Sequence, residues 1–163
     1  KIIDIFKHYE YKSFFKNKNN HHVKKVVLNK KNKNEVSIKK ILRNQKNIIL
    51  KVDIEGDEYN LLKTINTENK KINLLIIEFH KISKNINKIK KFLLGNKFKI
   101  IHIHANNFGG IDKKGNPNVF ELTLINLRKF KTSNLKSNNE YPIPGLDFRN
   151  LIRRNDIALK FYD

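Results

Sequence analysis

Apolar side chains fall along this chain in two kinds of pattern. Ile48-Ile-Leu-Lys-Val-Asp53 and Ile72 to Phe79 (INLLIIEF) are short, nearly unbroken apolar runs rich in branched residues. They predict strands, the second of them buried on both faces between helices. Phe98 to His104 and Val119 to Leu127 (VFELTLINL) predict two more. Behind the turn glycine Gly56, Tyr59, Leu61, Leu62 and Ile65 recur at helical spacing. Ile82, Ile86, Ile89, Phe92 and Leu93 then form one apolar helix stripe, which Gly95 and Asn96 end. Only a Gly- and Asn-rich loop, Asn106 to Asn118, separates the last two strands. With no room for a helix there, they predict an antiparallel hairpin. The order strand, helix, strand, helix, strand, strand predicts an α/β fold with a mostly parallel sheet ending in that hairpin.

These elements occupy residues 46–130, the body of one domain. Residues 1–45 form a less defined segment of it. Ile2, Ile3, Phe6, Tyr9, Tyr11, Phe14 and Phe15 suit a helix over residues 1–17 better than a strand. VKKVVL (residues 23–28) predicts a short strand between loops, and Ser37-Ile-Lys-Lys-Ile-Leu a capped helical turn. Residues 131–163 predict a surface loop over 131–150, with Pro142, Pro144 and Gly145, and a small edge strand from Ile157 to Phe161.

Composition changes this picture in three ways. The chain carries 35 Lys and Arg against 15 Asp and Glu, a net charge of +20, which suggests a nucleic-acid partner. Yet 30 Lys, 25 Asn and 23 Ile, all written with A- and T-rich codons, fill 78 of the 163 positions, so much of the charge follows base composition. Arg, the better base and phosphate reader, occurs only five times, and the lysines form no single stripe. A nucleic-acid-binding module therefore stays the alternative, and specific nucleic-acid recognition is not expected. Second, with no cysteine there is no disulfide, thiolate nucleophile or Cys-ligated metal. No apolar run approaches the roughly 20 residues of a membrane span, and KIIDIFKHYEY is no signal peptide, which makes the cytoplasm the default location. Third, the chain contains no methionine, so Lys1 is not expected to be the translation start.

Candidate chemistry collects where three strands end. Asp53 and Glu55, Glu78 and His80, and His102 and His104 are polar pairs at i and i+2, each on one side of its strand. In an open α/β sheet the ligand crevice lies beyond the carboxyl ends of the strands. Asn106 and Asn107 leave from that same edge. Carboxylates and imidazoles gathered there supply general acids and bases. With Asn oxygens they could also ligate a divalent metal, a weaker alternative. Asp57 and Glu58, after Gly56, suit a helix N-terminal cap. His8, His21 and His22 sit among Lys and Asn with no partner pattern.

The stretch Leu50-Lys-Val-Asp-Ile-Glu-Gly-Asp-Glu-Tyr-Asn-Leu-Leu resembles the signature of FkbM-type methyltransferases. The resemblance continues in order through Leu74-Leu-Ile-Ile-Glu-Phe-His80, His102-Ile-His-Ala-Asn-Asn-Phe-Gly109 and Glu121-Leu-Thr. Tyr141-Pro-Ile-Pro-Gly-Leu-Asp147 and Asn155-Asp-Ile-Ala-Leu are similar to the tail of some members, so the likeness spans roughly residues 46–163. It implies a Rossmann-like class I methyltransferase fold and transfer of a methyl group from S-adenosylmethionine to a hydroxyl of a sugar, glycolipid or other small molecule. It implies that Asp53 faces cofactor and acceptor, with Glu55 beside it. His80 or His104 would accept the hydroxyl proton, and Glu78, His102, Asn106 and Asn107 would contact the acceptor. None of the six glycines forms the G-x-G-type loop that cradles the cofactor in this class. The expectation is therefore a C-terminal portion holding the fourth to seventh strands, with the cofactor-binding strands before Lys1 and weak or no cofactor binding by this chain alone. A non-catalytic methyltransferase-like fold that only binds a partner is the other alternative.

Overall fold

The computed structural model describes residues 10–21, 26–27, 35–132 and 140–159. Residues 10–16 are helical (α1), in line with the helix expected there; residues 1–9 lie outside the described residues. β1 (Val26–Val27) and β2 (Glu35–Val36) pair in parallel. The helical turn α2 (Ile38–Ile41) is capped as its sequence predicts, with the Ser37 hydroxyl accepting from the Lys40 amide at 3.2 Å.

The main body runs β3 (Ile48–Val52), α3 (Glu58–Thr67), β4 (Ile72–His80), α4 (Ile82–Leu94), β5 (Phe98–Ala105) and β6 (Val119–Asn126). These are the expected elements in the expected order. Their sheet, however, is ordered β3-β4-β6-β5, and only β3 and β4 pair in parallel. β6 inserts between β4 and β5 and runs antiparallel to both, so the sheet is not mostly parallel. With only the loop Asn106 to Asn118 and no helix between them, β6 turns back on β5, and its second edge is then taken by β4. β6 ends at Asn126, whose buried amide donates to the Asn69 and Ile72 carbonyls, both at 2.7 Å, while its oxygen accepts from the Arg128 amide.

Alternation decides which face is packed. Leu75, Ile77 and Phe79 of β4, with Val52, Leu122 and Leu124, are buried against Leu61 and Ile65 of α3 and Ile82, Ile89 and Phe92 of α4. Each such side chain contributes roughly 1.5–3 kcal/mol of burial. On the opposite face Leu74 and Ile76 are half-buried and Ile49 is 69% exposed, so β4 is not sealed on both sides among the described residues. The segment from residue 140 onward runs along the β5 side of the molecule without forming the expected edge strand. A single bridge, Tyr141 to Leu159, stands in its place, since Pro142 and Pro144 offer no amide for a ladder; residues 160 and 161 lie outside the described residues.

Candidate active site

Register lines up the charged residues of all four strands. Val52 pairs with Ile77, which sets Asp53 beside Glu78; Glu78 pairs with Glu121, and Glu121 with His104. One row across the carboxyl edge therefore reads Asp53, Glu78, Glu121, His104. The β3–α3 turn feeding it is held in an unusual backbone, with Glu55 at φ 50° and Gly56 at φ 105°. A left-handed non-glycine residue next to a polar cluster marks a place where local conformation is dictated by the surroundings. Lys81, after β4, is left-handed as well, at φ 52°.

Glu58 organises the turn. Its side chain is fully buried, one oxygen accepting from the Gly56 amide at 2.8 Å and the other from the His80 amide at 2.7 Å. It is thus a latch between the turn and the end of β4, which corrects its reading as a cap. Asp57, at the cap position, makes no side-chain bond to the helix backbone and instead accepts from Asn60. The Tyr59 hydroxyl donates to the His80 carbonyl at 2.5 Å, and burial first, then the Glu58 carboxylate, pushes it up to about 12. This donor is therefore retained across the physiological range.

His80 sits among three carboxylates. Its Nε2 lies 3.3 Å from Glu55 and 3.6 Å from Glu78, and its Nδ1 lies 3.4 Å from Glu58 without a hydrogen bond among the described residues. Either ring nitrogen, on taking a proton, meets a carboxylate oxygen. Glu78 is buried and accepts from the Asn106 amide at 2.7 Å. Burial pushes its carboxyl above the ordinary range, Asn106 pulls it back, and the adjoining Asp53 carboxylate raises it further. The folded chain consequently holds this proton to a higher pH than the unfolded chain. The stability it contributes is complete below the ordinary value of 4.5 and is lost as pH rises through the folded value. Glu78→Gln is expected to melt higher than the parent at pH 7, with the gap closing toward pH 4; a gap independent of pH would refute this.

The remaining candidates divide. His104 Nε2 lies 3.6 Å from Asp156, and neither atom has a hydrogen-bond partner among the described residues. His102 is engaged elsewhere, its Nε2 2.8 Å from Asp147 and its ring 5.5 Å from that of Tyr141. Asp147 also accepts from the Ile143 amide at 2.7 Å. Buried Asn107 donates to the Leu151 and Arg154 carbonyls at 3.0 and 3.1 Å and accepts from the Leu151 amide at 2.8 Å. His102 and Asn107 therefore fasten the C-terminal segment, to which the His102 Nε2 and the Asn107 amide are committed. Asp53, Glu55, Glu78, His80 and Asn106 come together, with His104 at the far end of the row.

Sequence reasoning missed the places of Glu58, Glu121, Asp147 and Asp156 in this network. Glu121 accepts from Lys51 across β4 at 2.8 Å, and that bond raises the lysine above its ordinary value. Only the hairpin register reveals it. Among the described residues, no group of three or more His, Asp or Glu is arranged to hold a metal ion. No described helix is long and apolar enough to cross a membrane.

Comparison with curated proteins and with solved structures returns no match. A family model described as Methyltransferase FkbM domain matches residues 6–108, from α1 to the loop after β5. The likeness thus reaches further toward the N-terminus than residue 46, while the hairpin return and the C-terminal segment lie beyond the match. The match takes in Asp53, Glu55, Glu78, His80, His104 and Asn106, and covers more than half of the chain. The chain belongs to the FkbM methyltransferase domain family.

Proposed function

We propose that the protein transfers a methyl group from S-adenosylmethionine to a hydroxyl of a small-molecule or glycan acceptor at the carboxyl edge of the sheet. The observation that carries this is the meeting of Asp53, Glu78 and His80 at the ends of neighbouring strands in a methyltransferase-family domain. Three carboxylates, Asp53, Glu55 and Glu78, suit a cationic sulfonium and the amine and hydroxyl donors of the nucleoside. A G-x-G-type glycine loop for the methionine part is not among the described residues, so the fit covers one side of the cofactor. When bound, it supplies an electrophilic methyl on sulfur.

The residues of this chain do the rest. Asp53 and the exposed Glu55 accept hydrogen bonds from the cofactor. Glu78, fixed by Asn106, orients the acceptor hydroxyl, and His80 takes its proton as the oxygen–carbon bond forms and the sulfur–carbon bond breaks. A proton on His80 stays beside Glu55 and Glu78. His104, 3.6 Å from Asp156, is the second imidazole of the edge. The four-strand arrangement, with a returning strand between the second and third, also suits the last part of a class I methyltransferase sheet. Incubating the protein, as its gene encodes it, with methyl-labelled donor and hydroxyl-bearing sugars and glycolipids tests the reading. Label in an acceptor is expected; label that stays with the donor across the whole set would overturn it.

A further inference from the structure

Arginine is the scarce cation of this chain, and three of its five copies fall within residues 149–154. Arg149, Arg153 and Arg154 are all exposed. Large apolar side chains are exposed around them: Phe148 at 75%, Ile152 at 83%, Leu146 at 59% and, from the loop after β5, Phe108 at 69%. A lone exposed apolar residue is ordinary; a cluster of them marks a contact surface.

Hydrogen bonds tie the loop after β5 to residues 151–154 of this stretch. Arg154 donates to the Phe108 carbonyl at 3.3 Å, and Asn107 grips Leu151 and Arg154. Both acids between residues 141 and 159 face inward, Asp147 on His102 and Asp156 on His104. The flanking residues Leu146, Phe148 and Ile152 are left outside. The outward charge of this stretch is therefore wholly basic, and the side chains between the charges are aliphatic as well as aromatic.

We infer that this C-terminal face docks on an anionic phospholipid bilayer. Guanidinium groups pair bidentately with phosphates while Phe and Ile side chains enter the acyl boundary, and each half needs the other for stable attachment. Leu146 and Ile152 give a nucleic acid nothing to stack on, which favours the bilayer. The inference goes beyond methyl transfer and is read with no donor or acceptor present.

Vesicles of phosphatidylcholine alone, and with about one third phosphatidylglycerol, provide the probe, with cosedimentation as the readout. The protein is expected to sediment with the anionic vesicles. Phe148→Asp with Ile152→Asp, and separately Arg149→Glu with Arg153→Glu, are expected to lower vesicle affinity more than about tenfold. These side chains are exposed, so melting temperatures should hold. Leu94→Asp with Lys97→Glu, on the groove that Lys70 and Arg128 also line at the other end of the sheet, is the control and should change little. Equal losses in control and test variants would mean general adsorption of a basic protein and would overturn the inference. So would no binding, or variants that lose single-stranded DNA while keeping vesicles.

Discussion

His80→Gln is expected to lower kcat for methyl transfer by roughly 10²- to 10⁴-fold, the range that positioned acid–base groups supply, and Asp53→Ala, which removes a hydrogen-bond acceptor for the cofactor, is expected to abolish most of kcat/KM. Asp53 is exposed at the end of β3, so its loss should leave the fold intact. His80 is 14% exposed and contacts Glu55, Glu58 and Glu78, so its variant needs a melting curve beside the rate. If His80 takes the proton, the variant also loses the limb of the pH–rate profile that a base imposes. His104→Gln should keep that limb, because His104 stands at the far end of the row beside Asp156. A profile that loses its limb with His104 and keeps it without His80 would exchange the two roles.

The second large effect concerns folding. Glu58→Ala removes the acceptor for two backbone amides, those of Gly56 and His80, and leaves a void where the side chain was fully buried. Hydrogen bonds to a charged group are worth about 1.5–3 kcal/mol each. The expected cost is roughly 3–5 kcal/mol, a large share of a domain stability of about 5–15 kcal/mol. Urea denaturation reads it directly. Glu58→Gln retains one acceptor and turns an amide toward the other donor, so it should fall between the two. A Glu58→Ala midpoint close to that of the parent would show that the latch contributes nothing.

The strands and helices of the body were legible because each is announced within its own segment. The β-branched run before Asp53, the stripe from Ile82 to Phe92 and the glycines between them need no partner to be read. The three polar pairs were legible for the same reason. What was hidden depends on pairing between distant residues. The position of β6 between β4 and β5 turns on which strand occupies its second edge, and that alone makes the sheet mainly antiparallel. His102 and Asp147 are 45 positions apart, and Asn107 lies 44 and 47 positions from the residues it holds, so no local pattern joins them. Glu58 looked like a cap because an acid at the start of a helix has that use. Its burial is set by β4, which supplies the amide of His80. Lysine and asparagine in nearly every loop further levelled the contrasts that mark surface contacts, and only arginine, scarce enough to cluster visibly, kept its meaning.

The most direct test of the central claim couples donor consumption to acceptor methylation in the protein as its gene encodes it. S-adenosylhomocysteine and methylated hydroxyl are measured together, for the parent and for Asp53→Ala. The parent is expected to release one S-adenosylhomocysteine per hydroxyl methylated, and the variant to lose both products together. Full activity in the variant, or donor turnover with no methyl on oxygen, would contradict it.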